Sequence, residues 1–313
     1  MNGIDAVESG VEQQRAALRA ALGRVGVWSF ALETQAAVDE RASAAEIEGM
    51  GYRAIWFPEA VESKEVFAHA ALLLGATERA VVGSGIANIW ARDATAMANG
   101  WRTITDMYPA RFVLGIGVSH QGSVSRRGHR YEHPWSRMRS YLDQMDRAAS
   151  SAPEPASSPW RVLAALGPRM LELAAERALG AHPYFVPVEH TAFARARLGR
   201  EPVLVVEQTV VLQTDPGEAR RIGRMFAADY LASPNYANNL RRMGWSEQDV
   251  AGRGSDALID AVIAWGDVDR VASRVRAHLE AGADHVCVQV VSGDETDVCL
   301  NELRELAPAL LEL

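Results

Sequence analysis

Arg111-Phe112-Val113-Leu114-Gly115-Ile116-Gly117 is a short, unbroken apolar run that closes on glycine and gives way to a polar stretch. A strand with one wet face alternates apolar and polar residues. A run that is apolar throughout suits a strand covered on both faces, as in a parallel sheet packed between helices. The same type of run recurs to either side. Residues 25–30, 54–57 and 80–86, mostly apolar, come before it, and residues 162–166, 181–186, 203–206 (opening a strand that extends toward Leu212) and 285–290 come after.

Helical patterns fill the gaps. A polar helix over residues 7–22 opens the chain as an N-terminal extension (1–22). Thr34 is placed to cap a helix ending near Gly49 to Gly51, and Ser63 to cap one running through Leu74. Further helices are expected over 93–107, 136–149, 168–179, 189–198, 267–280 and 295–311. Pro168 sits at a first helical position, where its missing N–H does no harm. Residues 150–159, rich in Ser and Pro, read as a surface loop, and residues 215–265 as a long helical region broken by Pro234, Gly244 and Gly252-Arg253-Gly254.

Eight strand–helix cycles in 313 residues predict one (β/α)8 barrel domain spanning 1–313. Its surplus length falls in an extended loop after strand four and a helical insertion before strand eight. A doubly wound open sheet would want a dinucleotide fingerprint. Gly83-x-Gly85 and Gly115-x-Gly117 lack the third glycine, with Asn88 and His120 in its place.

Composition excludes other classes. With 32 Lys+Arg against 40 Asp+Glu the net charge is −8, unlike the basic face of a nucleic-acid binder. No apolar run approaches the roughly 18 residues of a membrane span. Residues 1–21 lack an apolar signal core, so a cytoplasmic location is expected. Cys287 and Cys299 read as reduced thiols.

In such a barrel, function gathers at the C-terminal ends of the strands. That rule selects Trp28 and Ser29, Pro58 and Glu59, residues 85–90, 117–120 and 166–169, Tyr184, Glu207 or Gln208, and residues 289–292. These positions hold no nucleophile elbow, no carboxylate pair and no metal-ligand spacing. No metal site is expected. They are instead rich in aromatics, glycines and amides, which suits a flat cofactor whose own ring does the chemistry. Leu166-Gly167-Pro168-Arg169 opens a helix and offers free N–H groups to a phosphate, or it is a plain turn. A partly desolvated Glu59 could serve as an acid, or as a salt-bridge partner. His120, His129 and His133, among Arg126, Arg127 and Arg130, form either a lid or a solvated loop. His182 and His285 read as core or edge residues, and His69 and His278 as structural. An aldolase-type barrel needs a strand-end lysine, and the only lysine is Lys64.

Several segments together resemble a known family. They are Gly51-Tyr52-Arg53-Ala54-Ile55-Trp56-Phe57-Pro58-Glu59, Gly83-Ser84-Gly85-Ile86-Ala87-Asn88-Ile89-Trp90-Ala91-Arg92-Asp93, Ala110 through His120, and Ala164-Ala165-Leu166-Gly167-Pro168-Arg169-Met170-Leu171 followed by Ala181-His182-Pro183-Tyr184-Phe185-Val186. Their order and spacing resemble the luciferase-like monooxygenase superfamily, and most closely its coenzyme F420-dependent oxidoreductase branch. The resemblance implies a ring bound in the barrel mouth against a non-proline cis peptide, by motif position Gly85–Ile86. It implies cofactor contacts from Trp28, Gly85, Ile86, Asn88, Gly117, Val118, Ala165, Leu166, Gly167, Arg169 and Met170. The Gly167 turn matches the phosphate-contacting segment after strand five.

The chain departs from the sugar-phosphate dehydrogenases of that superfamily, in which an acidic residue followed by His ends strand two. Here the pair is Glu59-Ala60, and Val118 stands where a catalytic Glu would follow strand four. Glu59 or His120 is left to supply a proton. The implied reaction is hydride transfer between reduced deazaflavin and a small-molecule substrate. The alternatives are an FMN-dependent monooxygenase and a non-catalytic flavin- or deazaflavin-binding relative. Family habit implies a homodimer, with no nucleic-acid or membrane partner.

Overall fold

The computed structural model describes residues 3–313, with side chains from residue 9 onward. Its strands in chain order are β1 (Val25–Trp28), β2 (Ala54–Phe57), β3 (Val81–Ser84), β4 (Ala87–Asn88), β5 (Phe112–Gly117), β6 (Trp160–Ala164), β7 (Gly180–His182), β8 (Val203–Val211), β9 (Ile263–Trp265) and β10 (His285–Val290). Every pairing is parallel. The order runs β10-β1-β2-β3-β5-β6-β7-β8, and β10 then pairs β8, so eight strands close into a barrel. The expected (β/α)8 architecture is present.

The strand sequences are mostly apolar because both faces are covered, though β8 carries Glu207, Gln208 and Thr209. Val113, Val162, Val205 and Cys287 belong to one buried cluster, with Trp28 and Trp56. Their neighbours Phe112, Leu114, Leu163, Leu204, Val206, Val286 and Val288 belong to the other, packed on helix residues. The period-2 pleat thus sorts one run of residues between barrel interior and helix layer.

Two strands were not expected. β4 is a two-residue strand on the edge of β5, just past the end of β3. β9 lies inside the region read as helical, and pairs Thr209, Val210 and Val211 through Ile263, Ala264 and Trp265. It takes the edge of β8 that β7 leaves after Leu204. The rest of that region holds the helices Pro216–Ala232, Pro234–Arg242, Glu247–Val250 and Asp256–Val262.

Helix starts follow capping chemistry, though not always at the expected residue. Asp93 accepts the Ala96 amide at 2.9 Å and Asp267 the Arg270 amide at 3.0 Å. Thr34 caps nothing. It ends a separate four-residue helix, its hydroxyl donating to the Ala31 carbonyl, and the next helix starts at Ala37 behind an extended Ala36. Ser63 is not a cap either, because its hydroxyl is spent on the carbonyls of Ala60 and Lys64. Glu65 caps Val66–Ala76, accepting the amides of Phe67 and Ala68, each at 2.9 Å.

The extended loop after β5 contains a short helix, Gln121–Arg126, ahead of Pro134–Arg147. The last helix begins at Leu300, since residues 292–299 turn on the side chains of Asp294 and Asp297. Both cysteines are free and buried. No helix among the described residues is long and apolar enough to cross a membrane.

Candidate active site

The barrel mouth opens onto a cavity of about 540 Å³, within the range of small-molecule sites. Of the residues singled out in the sequence, Trp28, Glu59, Gly85, Ile86, Val118, His120, Ala165, Leu166, Gly167, Arg169 and Met170 line it. The Gly85–Ile86 peptide is cis. Two glycines make room here. A Cβ on Gly117 would stand 2.5 Å from Ile86 Cδ1, and one on Gly85 2.5 Å from Trp28 Nε1. Gly117 therefore supports the wall from behind and does not line the cavity.

Asn88 does not line it either. Its side-chain oxygen accepts the Trp90 amide at 2.9 Å, and the residue is buried. Its own amide donates to Glu59 Oε2 at 2.8 Å. The expected ring contact from Asn88 is thus replaced by a brace within the loop.

Glu59 differs from expectation in a related way. Arg92 Nη1 donates to Oε2 at 3.0 Å, and Arg92 Nη2 pairs with Oε1. Both carboxylate oxygens are engaged, so the salt-bridge reading holds and the free-acid reading does not. Glu207 and Gln208, expected near a strand end, lie within β8, which continues to Val211. Burial pushes the Glu207 carboxyl up to about 7. Its oxygens accept the Phe185 amide at 3.0 Å and the Thr209 hydroxyl at 2.7 Å.

His120 sits at the mouth with Nδ1 buried and unpartnered. Burial lowers its pKa, favouring the neutral ring. His129 lies against Trp90, 5.7 Å between ring centroids, in a separate cavity, and His133 precedes the helix Pro134–Arg147. Neither lines the mouth, and no group of His, Cys, Asp or Glu among the described residues could hold a metal. His285 accepts from Trp56 Nε1 at 3.2 Å, and His278 is bonded to Gln208 and Thr191, as core residues are. His69 pairs with Glu40, which also holds Lys64. The chain's single lysine is therefore committed and does not line the cavity.

Several lining residues escaped the sequence reading, among them His182, Tyr230, Tyr236 and Arg242. His182 was read as the start of a strand. Pro183 follows it, and β7 ends at His182, which puts its side chain on the cavity. Burial lowers it to about 4. Tyr230, Tyr236 and Arg242 come from the insertion helices. Tyr184 donates to Gln289 Oε1 at 2.7 Å and lies 2.9 Å from the Tyr230 hydroxyl. Tyr236 packs on His120, 5.5 Å between centroids. Burial holds the Tyr184 and Tyr230 phenols well above their ordinary value, so they stay neutral.

The other end of the cavity is cationic. Gly167 precedes the helix Pro168–Arg177; Pro168 has no N–H and the Met170 and Leu171 amides donate to the Gly167 carbonyl at 3.1 Å, so the Arg169 amide is the donor left over at this helix start. Arg242 lies beside Gly167, and Arg169 stacks over Trp135 at 4.2 Å. An anionic group would meet a helix terminus and a fixed guanidinium there.

Known proteins share this architecture. A 5,10-methylenetetrahydromethanopterin reductase from Archaeoglobus fulgidus is 25% identical over 289 residues, covering 84% of this chain and 84% of its own. The coenzyme F420 dependent tetrahydromethanopterin reductase of Methanopyrus kandleri has a similar structure, with TM-score 0.74 at 16% identity, covering 92% of this chain and 100% of that one. The oxygenating constituent of 3,6-diketocamphane monooxygenase from Pseudomonas putida, solved with FMN, gives TM-score 0.65 at 15% identity, covering 91% and 98%. The family model for luciferase-like monooxygenases matches residues 20–285. With most of the barrel inside that match, the chain belongs to the luciferase-like monooxygenase family of oxidoreductases.

Proposed function

We propose that this chain binds coenzyme F420 in the barrel mouth and transfers a hydride between the reduced deazaflavin and a small organic substrate. The observation that carries the reading is the cavity: one wall of glycine, cis peptide and aromatic side chains, and one end built from a helix terminus and arginine. Those parts fit a flat ring with a phosphate-bearing tail. The likeness to the F420-dependent Methanopyrus reductase supports F420 as the occupant.

Once bound, the deazaflavin would supply the hydride-carrying carbon. The chain's own residues bind, orient and exclude water. Gly85 and Ile86 offer a surface without a protruding Cβ at Gly85, while Trp28, Tyr184, Tyr230 and Tyr236 wall off solvent. Arg242, the Arg169 side chain and the Arg169 amide hold the anionic tail. His120 is the residue placed to carry a proton at the mouth, since Glu59 is committed to Arg92.

The FMN-bound Pseudomonas protein supports a second reading, an FMN-dependent monooxygenase on the same barrel. A side-by-side fluorescence titration with F420 and FMN, followed by oxygen uptake with whichever binds, separates the two. Micromolar F420 binding with weak FMN binding is expected. Tight FMN binding with oxygen consumption would move the chain to the monooxygenases. Binding of neither would overturn both readings, and binding without turnover on any substrate would favour a non-catalytic relative.

A further inference from the structure

Besides His120 Nδ1, two polar atoms of cavity-lining residues have no partner in the protein: Nε1 of the Trp28 indole and Nε2 of the His182 imidazole. Each residue is only 1% exposed. Both line the same cavity and crowd the same point. A Cβ built on Gly85 would stand 2.5 Å from Trp28 Nε1 and 2.9 Å from His182 Nε2. The two nitrogens are therefore no farther apart than the sum of those distances.

Their roles are fixed by chemistry. An indole nitrogen only donates. His182 Nδ1 lies 3.1 Å from the Val205 carbonyl, which only accepts, so Nδ1 carries the hydrogen of the neutral ring and Nε2 presents a lone pair. The imidazole is held in place by stacking on Trp56, 5.0 Å between centroids and 24° between planes. A donor and an acceptor left unmet in a buried site are costly unless a ligand satisfies them. Side by side, they ask for a ligand edge that offers an acceptor next to a donor.

We propose that Trp28 and His182 read the imide edge of the bound ring: Trp28 Nε1–H donates to a ring carbonyl, and the ring's N3–H donates to His182 Nε2. The inference rests on the reading that a flavin-type ring enters this mouth. F420 and FMN share the imide edge, so it holds for either. A single hydroxyl would have to meet both nitrogens through one oxygen, whereas the imide presents its donor and acceptor on neighbouring atoms. The position also fits, because both residues line the cavity and meet at Gly85, where the absence of a side chain makes room for the two rings. His120 is left free at the mouth for the substrate.

The test is an equilibrium fluorescence titration of the whole protein with F420 and FMN, each compared with its N3-methylated form. The wild type is expected to bind the methylated ring at least tenfold more weakly, and His182→Ala to lose most of that difference. Trp28→Phe should weaken both forms alike by several-fold. Crowding by the methyl group is separated by a ring labelled with 15N at N3. Its imide proton should move downfield on binding to the wild type and return in His182→Ala. Equal binding of parent and methylated rings by the wild type, a comparison that depends on no variant folding, overturns the inference alone. So does an unshifted imide proton. A wild type that binds no ring at all overturns the proposed function and the inference with it.

Discussion

Arg242 lies against Gly167: a Cβ built on that glycine would stand 3.7 Å from both guanidinium Nη atoms. A residue from the insertion thereby reaches across to the backbone that opens the helix after β6. Asn239 Oδ1 holds the guanidinium at 3.0 Å.

Arg242→Gln is therefore expected to weaken binding of a phosphate-bearing ring by tenfold or more. A charged hydrogen bond is worth about 1.5–3 kcal/mol, and a tenfold change is about 1.4 kcal/mol. Riboflavin, which lacks the phosphate, should be affected far less than FMN. Equal losses for the two ligands in parallel titrations would show that Arg242 does not face the phosphate.

Glu59→Gln should act on stability more than on proton transfer. The Glu59 side chain is 4% exposed and that of Arg92 13%. Removing one member of a buried pair costs about 3–5 kcal/mol, and contact between Arg92 and Glu65 at 3.0 Å favours the low end here. Thermal melts of Glu59→Gln, Arg92→Met and the double variant should show strong non-additivity. Additive effects, or a pH–rate profile that loses a limb only in Glu59→Gln, would return Glu59 to the chemistry.

Gly85→Ala is expected to lower both stability and ring binding. The added methyl would meet Trp28 Nε1 at 2.5 Å and His182 Nε2 at 2.9 Å, and neither side chain has room to retreat. Overpacking of this kind costs about 1–3 kcal/mol. Calorimetry paired with a ring titration checks it. An unchanged melting temperature and an unchanged Kd together would mean that the site is looser than described.

Glu207 gives a pH signature. Its carboxyl is raised from the ordinary 4.5 to about 7 by burial. The folded chain thus keeps a proton that the unfolded chain releases. Its contribution is most favourable at low pH and is lost as pH rises from about 4.5 to about 7. Glu207→Gln should gain on the wild type across that window and then hold level, by at most about 3 kcal/mol. Urea midpoints at several pH values would show it, and a variant that loses ground to the wild type as pH rises through that window would contradict it.

The barrel could be read from the sequence because its strands open as short, mostly apolar runs buried on both faces, as Val203–Val206 does in β8, a pattern few folds require. β9 could not. Three residues, Ile263–Trp265, carry no period, and their strand state comes from pairing with Thr209, Val210 and Val211, far away in the chain. The caps at Thr34 and Ser63 failed because both hydroxyls found a nearer carbonyl. In the site, the glycines and the Gly167 turn announced themselves by residue type. Tyr230, Tyr236 and Arg242 sit on ordinary amphipathic helices, and only the tertiary fold brings them to the mouth. His182 was misplaced by the apolar Phe185-Val186 beyond it, which concealed that Pro183 ends the strand.

The insertion divides labour in this molecule. Trp28, Gly85 and Gly167, which line the cavity, belong to the repeating barrel, whereas Tyr230 and Tyr236 arrive on one contiguous excursion between β8 and β9. A change confined to that excursion would recast the aromatic side of the mouth and leave the strand-end residues standing. Arg242, carried on the same excursion, ties it to the backbone at Gly167.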